Sequence, residues 1–265
     1  MGINLGLGPT RRLLEFIGNH QTELTTIHVA GTNGKGSVCA MIASVLQSAG
    51  KKVGLYTSPH LVHFNERIRV NGNSITDAEI VEFMKRTEPF SLKLQSTFFE
   101  TTTAIAFDHF RRHRVEVAVI ETGLGGRLDS TNIIIPNLTV MTPISLDHME
   151  ILGKDLQTIS EEKSGILKEN IPLVYSEQNP IVEDILLKNT KKHNAETFKI
   201  DSTKEISLNE DGTEFLYRDN KYLTPLIGNH QAQNAALAVE TIRIFEQNIE
   251  TEVIRKGLKT VIWPG

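Results

Sequence analysis

The chain has 265 residues, a single cysteine and a formal net charge of −4 at neutral pH. That length can bury a large core without disulfides, and the charge offers no basic footprint for nucleic acid. No apolar run approaches the roughly 20 residues of a membrane span, and a lone thiol with no secretory leader points to a cytoplasmic protein with no membrane partner.

Taken in chain order, "TTIHVA" at 25–30 reads as a short buried strand, and the loop "GTNGKGS" follows it. Val38, Met41, Ile42, Val45, Leu46 and Ala49 then recur at helical spacing until Gly50. Cys39 lies within that run and reads as a small buried hydrophobe. "VGLYTS" at 53–58 is a second strand, broken by Pro59. "DAEIVEFMKRT" at 77–87 reads as a surface helix, and Phe99 to His113 as another. The cationic run "RRHR" at 111–114 closes that helix, where positive charge suits the carbonyl end. "VEVAVIE" at 115–121 is an apolar strand ending on a carboxylate, and "LTVMTPIS" at 138–145 is another strand leading into "LDH". "TISEEKSGILK" at 158–168 reads as a helix with a capping box of Thr158 and Glu161. A strand, "IPLVYSE", and a helix from about Ile181 follow. Residues 205–223 read as a hairpin around Asp211-Gly212, and a final helix spans roughly Gln231 to Gln247. No internal repeat or linker interrupts the chain.

Strands alternating with helices predict an α/β fold, a mostly parallel sheet with helices on both faces. Ligands of such sheets collect at the carboxyl ends of the strands. The glycine loop, "TSPH", Glu121 and "LDH" all lie just past predicted strand ends, so they should converge on one edge of the sheet.

A phosphate-binding loop needs glycines so that the backbone can curl round an anion, and a following helix whose N–H groups point at the charge. The usual pattern is G-x-x-x-x-G-K-[ST]. Here Val29 replaces the first glycine, Gly36 follows Lys35 where Ser or Thr is expected, and Ser37 comes one place late. On the pattern alone the loop is either a nucleotide site or a glycine-rich turn. The strand before it and the amphipathic helix after it favour a P-loop-type ATP-binding domain.

"HVAGTNGKGS" at 28–37 resembles the loop of the Mur-ligase superfamily of ATP-dependent amide-bond ligases, and within it the folylpolyglutamate synthase and dihydrofolate synthase family. In that family glycine after the lysine is usual. "LYTSPHLVHFNERIRVNG", "TFFETTTAIAF", "ETGLGGRLDSTN", "SLDHMEILG", "EEKSGILK" and "GNHQAQNAALA" match it in order and cover nearly the whole chain.

The resemblance implies that Gly31, Thr32, Asn33, Gly34, Lys35, Gly36, Ser37 and Asn234 serve ATP. It implies two Mg²⁺ sites, with Glu121 binding both ions, Ser58 the first and His148 the second. Mg²⁺ prefers oxygen, so a histidine ligand would be unusual, and a lone Glu at a strand end is otherwise simply solvated. Lys163 shares a helix face with Ile159, Ile166 and Leu167. Such a lysine either snorkels outward or is buried with a lowered pKa. The resemblance implies that it is carbamylated and supports the second metal. Lys35, Glu121, His148 and Lys163 would then be the catalytic set.

The same resemblance places Leu5, Thr97, Phe99, Arg127 and Asp129 near a pterin substrate, although Phe99 reads equally as core and "GLGGRLDSTN" equally as a surface loop. It implies an N-terminal ATP-binding ligase domain over 1–265, clipped at its start and lacking a C-terminal glutamate-ligase domain. The implied reaction joins L-glutamate to tetrahydrofolate or to dihydropteroate through an acyl phosphate, in a monomer. The rival readings are a cell-wall-precursor ligase of the same superfamily and a non-catalytic ATP-binding fragment.

Overall fold

Strands buried on both faces must be apolar on both sides, and the first strand already shows what each side meets. In the computed structural model, which describes residues 6–263, Ile27 and Val29 point into one core cluster and Ala30 into another. The described elements run α1 (Gly8–Ile17), β1 (Thr25–Ala30), α2 (Lys35–Ser48), β2 (Val53–Tyr56), β3 (Ile68–Val70), β4 (Asn73–Ser74), α3 (Asp77–Leu94), α4 (Phe98–Arg112), β5 (Val117–Glu121) and β6 (Leu138–Met141). They continue with α5 (Met149–Leu152), α6 (Leu156–Ser164), β7 (Leu173–Tyr175), α7 (Pro180–Lys192), β8 (Thr197–Lys199), β9 (Lys204–Asn209), β10 (Gly212–Tyr217), β11 (Asn220–Thr224), α8 (Asn229–Phe245) and α9 (Thr251–Lys259).

The main sheet has the order β4-β3-β2-β5-β1-β6-β7-β8. Its strands from β2 to β8 pair in parallel, and β3 and β4 extend one edge antiparallel. The expected mostly parallel sheet is therefore present. The period of two sorts its residues. Val53, Leu55, Val117, Val119, Leu138, Val140 and Val174 face α2, α8 and α9, while Tyr56, Ala118 and Ile120 join the cluster that α4 supplies. Met141, Leu173 and Tyr175 meet α6 and α7. Because β1 lies between β5 and β6, the chain leaves β1 towards β2 and later returns across it to β6. The crevice beyond the carboxyl ends of β1 and β6 is thus the switch point at which such sheets hold ligands.

Several expectations change. The helix after the glycine loop is not amphipathic in its setting: from Ser37 to Leu46 nearly every residue of α2 is buried, because α8 and α9 cover the side turned away from the sheet. The capping box of Thr158 and Glu161 does not form. The helix starts earlier, Asp155 is its N-cap, and the Asp155 carboxylate accepts from the Thr158 N–H at 2.7 Å. The same helix ends at Ser164 instead of Lys168. Helix α3 runs through Pro89 to Leu94, since Phe90 and Leu94 pack against the core. The hairpin around Asp211-Gly212 is the first turn of a three-stranded antiparallel sheet, β11-β10-β9. Its Tyr217 hydroxyl donates to the buried Glu240 carboxylate of α8 at 3.0 Å.

Helix α9 was not foreseen. It packs on α2 through Gly257, where a Cβ would press on the Val45 backbone. Gly257→Ala should therefore destabilise the domain by about 1–3 kcal/mol, the usual cost of overpacking a tight contact. A chemical denaturation curve with an unchanged midpoint would show that α9 is loosely held.

Candidate functional site

The glycine loop leaves β1 at Ala30 and becomes α2 at Lys35. Gly31 has φ +143°, and any Cβ there would collide with the Thr142 side chain at the end of β6. Gly34, the N-cap of α2, has φ +81°, a left-handed conformation that glycine adopts without steric cost. The loop is tied to the segment after β6: the N–H of Thr32 donates to the Pro143 carbonyl at 2.9 Å, and the Thr32 hydroxyl donates to the Ser145 carbonyl at 3.1 Å. The first N–H groups of α2 have no carbonyl one turn behind them, and no side chain caps the helix. That end is consequently an electropositive cradle.

A cleft of about 280 Å³ opens in front of it, lined by residues 32–37, Thr57, Ser58, Pro59, Leu61, Glu66, Arg69, Glu121 and Trp263. Of the strand-end groups expected together, the structure brings the loop, Ser58 and Glu121 into this cleft. Parallel pairing sets Val29 of β1 beside Glu121 of β5, which carries the carboxylate to the loop. One Glu121 oxygen accepts from the Ser58 N–H at 2.9 Å. Burial pushes the Glu121 carboxyl up to about 7, against the opposing pull of Lys35. The Lys35 amine donates to its own loop, to the Thr32 carbonyl at 3.1 Å.

Lys163 does not snorkel. It is 3 % exposed, and its amine donates to the Gly31 carbonyl at 2.8 Å. Burial first, and the charge of Lys35 second, draw its amine down to about 8. His148 stands apart. Its side chain is exposed, it lies 3.6 Å from the Asp147 carboxylate, and it is absent from the lining of the cleft.

A larger opening of about 720 Å³ lies on the other side of the loop, lined by Asn33, Gly34, Ser37, Pro143 and the start of α8 from Asn229 to Asn234. The buried Asn234 amide meets Gly34 so closely that a Cβ would strike it. Asn234 donates to Gln231 at 3.0 Å, and the Gln231 amide reaches the Ser37 hydroxyl at 3.5 Å. These side chains form a polar chain from α8 to the loop.

The residues expected near a pterin are placed unevenly. Leu5 lies outside the described residues. Thr97 is the N-cap of α4 in a capping box with Glu100. Phe99 is half-buried, its ring against Gly123 and 6.1 Å from Tyr56. Arg127 is exposed and pairs with Glu162 at 2.7 Å. Asp129 is buried, and both oxygens are in use: one accepts the N–H groups of Gly123 and Leu124 at 2.8 Å, the other the N–H and hydroxyl of Thr131 at 2.9 and 2.5 Å. It organises the 121–132 loop, and a substrate contact would have to break that set.

Sequence reasoning missed three residues. Trp263 covers Gly36, closer than a Cβ there would permit. Arg69 lines the cleft from β3, an edge hairpin that no pattern announced. His28, inside the motif itself, is buried and neutral, held down to about 3 by burial, with its Nε2 2.9 Å from the Thr131 hydroxyl. Its signal was a histidine in the middle of a buried strand.

The fold and the loop define a P-loop-type α/β domain. Residues 29–242 match the Mur ligase middle domain, and the chain belongs to the Mur ligase family, in its branch of folylpolyglutamate and dihydrofolate synthases. It is 39 % identical over 284 residues to the dihydrofolate synthase/folylpolyglutamate synthase of Bacillus subtilis (strain 168), covering all of this chain and 66 % of that one. The solved Mycobacterium tuberculosis folylpolyglutamate synthase complexed with ADP and AMPPCP superposes with a TM-score of 0.93 at 33 % identity, over 98 % of this chain and 64 % of that one. A second solved structure, an FPGS–AMPPCP–folate complex, gives 0.93 at 33 % identity, over 100 % and 70 %. The chain thus spans about two thirds of the length of the curated relative it matches.

The elevated Glu121 has a consequence for stability. Its folded value lies above the ordinary 4.5, so the protonated carboxyl suits the fold. The stability this gives is complete below about 4.5 and is lost as pH rises through about 7, a difference on the order of 3 kcal/mol. With divalent metal chelated, Glu121→Gln should melt higher than the parent at pH 8, and the advantage should vanish near pH 4.5. A gap that does not change with pH would mean that Glu121 is solvated.

Proposed function

We propose that this chain is the ATP-binding part of a ligase that joins L-glutamate to a folate or to dihydropteroate. The observation that carries the reading is the uncapped start of α2, with Lys35 and the buried Glu121 at its mouth. The names of the relatives, and the AMPPCP and folate in their solved complexes, support the substrates. A carboxylate is a poor electrophile. In the proposed reaction a substrate carboxylate oxygen attacks the terminal phosphorus of ATP, the bond to ADP breaks, and an acyl phosphate forms. The glutamate amine then adds to the acyl carbon, a proton is lost, and phosphate leaves.

The α2 N–H groups and Lys35 hold the phosphates and stabilise the charge that spreads over the transferred phosphoryl group. Asn33, Gly34, Ser37 and Asn234, which line the opening beside the loop, bind the rest of the nucleotide. Thr97, Phe99 and Arg127 bound the substrate side. Glu121 fits a hard cation: it is a carboxylate that burial keeps from water and that gains by acquiring a positive partner. Ser58 beside it supplies a further oxygen. When bound there, Mg²⁺ supplies charge neutralisation for the phosphate oxygens. His148, with Asp147 next to it, is the proposed side of a second ion. The chain spans about two thirds of the curated relative it matches, so turnover is measured in a protein of that relative's full length.

Lys35→Ala in that protein should cut glutamate incorporation by at least about 10²-fold, the scale for losing a transition-state charge contact. Turnover near that of the parent would overturn the assignment of the loop. A protein that hydrolyses or binds ATP without ever forming the amide would favour a nucleotide-binding role alone.

Carbamylation of Lys163 belongs to the same proposal. A buried amine drawn down to about 8 is substantially neutral at mildly alkaline pH. It can add to CO₂, releasing one proton and leaving an anion next to Lys35. Carbon-13 bicarbonate should give a carbamate resonance that Lys163→Ala removes. If no such resonance forms, Lys163 is a brace for Gly31 and nothing more.

A further inference from the structure

On the α3–α4 surface, outside the residues that line either opening, three side chains converge. Glu79 comes from the first turn of α3, and His109 and His113, one helical turn apart, come from the end of α4. One Glu79 oxygen lies 2.9 Å from His113 Nε2 and 3.5 Å from His109 Nδ1, and the two imidazole rings are 4.2 Å apart between centroids. One donor atom from each of the three lies within 4.8 Å of the others. We infer that Glu79, His109 and His113 form a site for a Zn²⁺-like divalent transition metal that pins α3 to α4. This inference is independent of the ligase reading.

Three features carry it. The first is spacing. Bonds of about 2.0–2.1 Å to a tetrahedral Zn²⁺ set neighbouring ligand atoms roughly 3.3 Å apart, and the two observed Glu79 distances bracket that value. The second is preparation of the ligands. His109 is buried, which limits the positions its ring can take. The other Glu79 oxygen accepts from the Thr76 N–H at 2.9 Å and the Thr76 hydroxyl at 2.7 Å, which fixes the carboxylate and leaves its first oxygen for the two histidines.

The third feature is compensation of the nearby cation. Arg112 follows His109 on the same helix, but it is engaged by Asp108 at 2.9 Å and Glu82 at 2.8 Å, and Arg86 also pairs with Asp108. Its close ion pairs are therefore made with acids other than Glu79. Two imidazoles and one carboxylate select Zn²⁺, Co²⁺ or Ni²⁺ over Mg²⁺, which prefers oxygen alone. His113 is partly exposed, which leaves room for water to complete the coordination.

The test is calorimetric titration of Zn²⁺ into the chelator-treated chain with Mg²⁺ in excess, so that sites built from oxygen are already filled. His113→Ala and Glu79→Gln are compared with the parent. The glutamine keeps an oxygen for the Thr76 cap, and a thermal melt of each variant checks that it is folded. The parent should bind one Zn²⁺ that Mg²⁺ does not displace, and both variants should bind it at least about tenfold more weakly, since loss of second-shell support alone costs that much. No binding by the parent under excess Mg²⁺, or equal affinity in the parent and both variants, would overturn the site.

Discussion

The site is organised by placing charge in a dry strand-end crevice. Glu121 is buried at the tip of β5, where a carboxylate loses its water, and its nearest compensation is Lys35 on the facing loop. Lys163 is buried at the other side of that loop, on the Gly31 carbonyl, and feels the same Lys35. Desolvation raises the acid and lowers the amine, so both sit near neutrality and both gain from a ligand of the right sign. Groups shifted in this way cluster where proteins bind and react.

The sheet makes this arrangement possible. Parallel pairing aligns the ends of β5, β1 and β6, and the crossover between β1 and β6 leaves the crevice open. The loop is fixed from three directions: by Pro143 and Ser145 after β6, by Lys163 from α6, and by Asn234 from α8 against Gly34. Each fixing group comes from a different element, so the loop conformation depends on the whole domain being assembled. Asp129 performs the corresponding task for the 121–132 loop, collecting four donors on a buried carboxylate.

What the sequence revealed and what it hid follow from the range of the forces involved. Strands such as "TTIHVA" and "VEVAVIE" are short runs rich in β-branched and apolar residues, and the glycines at 31 and 34 are required locally, so sheet and loop were legible. The apolar neighbours of Lys163 on one helix face left snorkelling and burial both open; the resemblance pointed to burial, and the side chain is buried. By contrast, α2 looked amphipathic because nothing nearby in sequence shows that α8 and α9, some 200 residues on, cover its outer side. The Thr158 capping box failed because Asp155 offers a competing cap three residues earlier. The β3–β4 hairpin and Trp263 reach the site through tertiary packing alone. The displacement of His148 from the cleft is likewise invisible in "SLDHME", since the segment turns through a left-handed residue at His148 itself.

Trp263 makes the central claim, that the β1–α2 loop holds the phosphates of ATP, directly measurable. It is the only tryptophan in the chain, and its ring lies on Gly36 within the cleft. ATP with Mg²⁺ should bind, as followed by calorimetry, and should change the tryptophan emission over the same concentration range, with both signals weakened in Lys35→Ala. Absence of binding, or binding that leaves the emission of Trp263 unchanged and is indifferent to Lys35, would contradict the account.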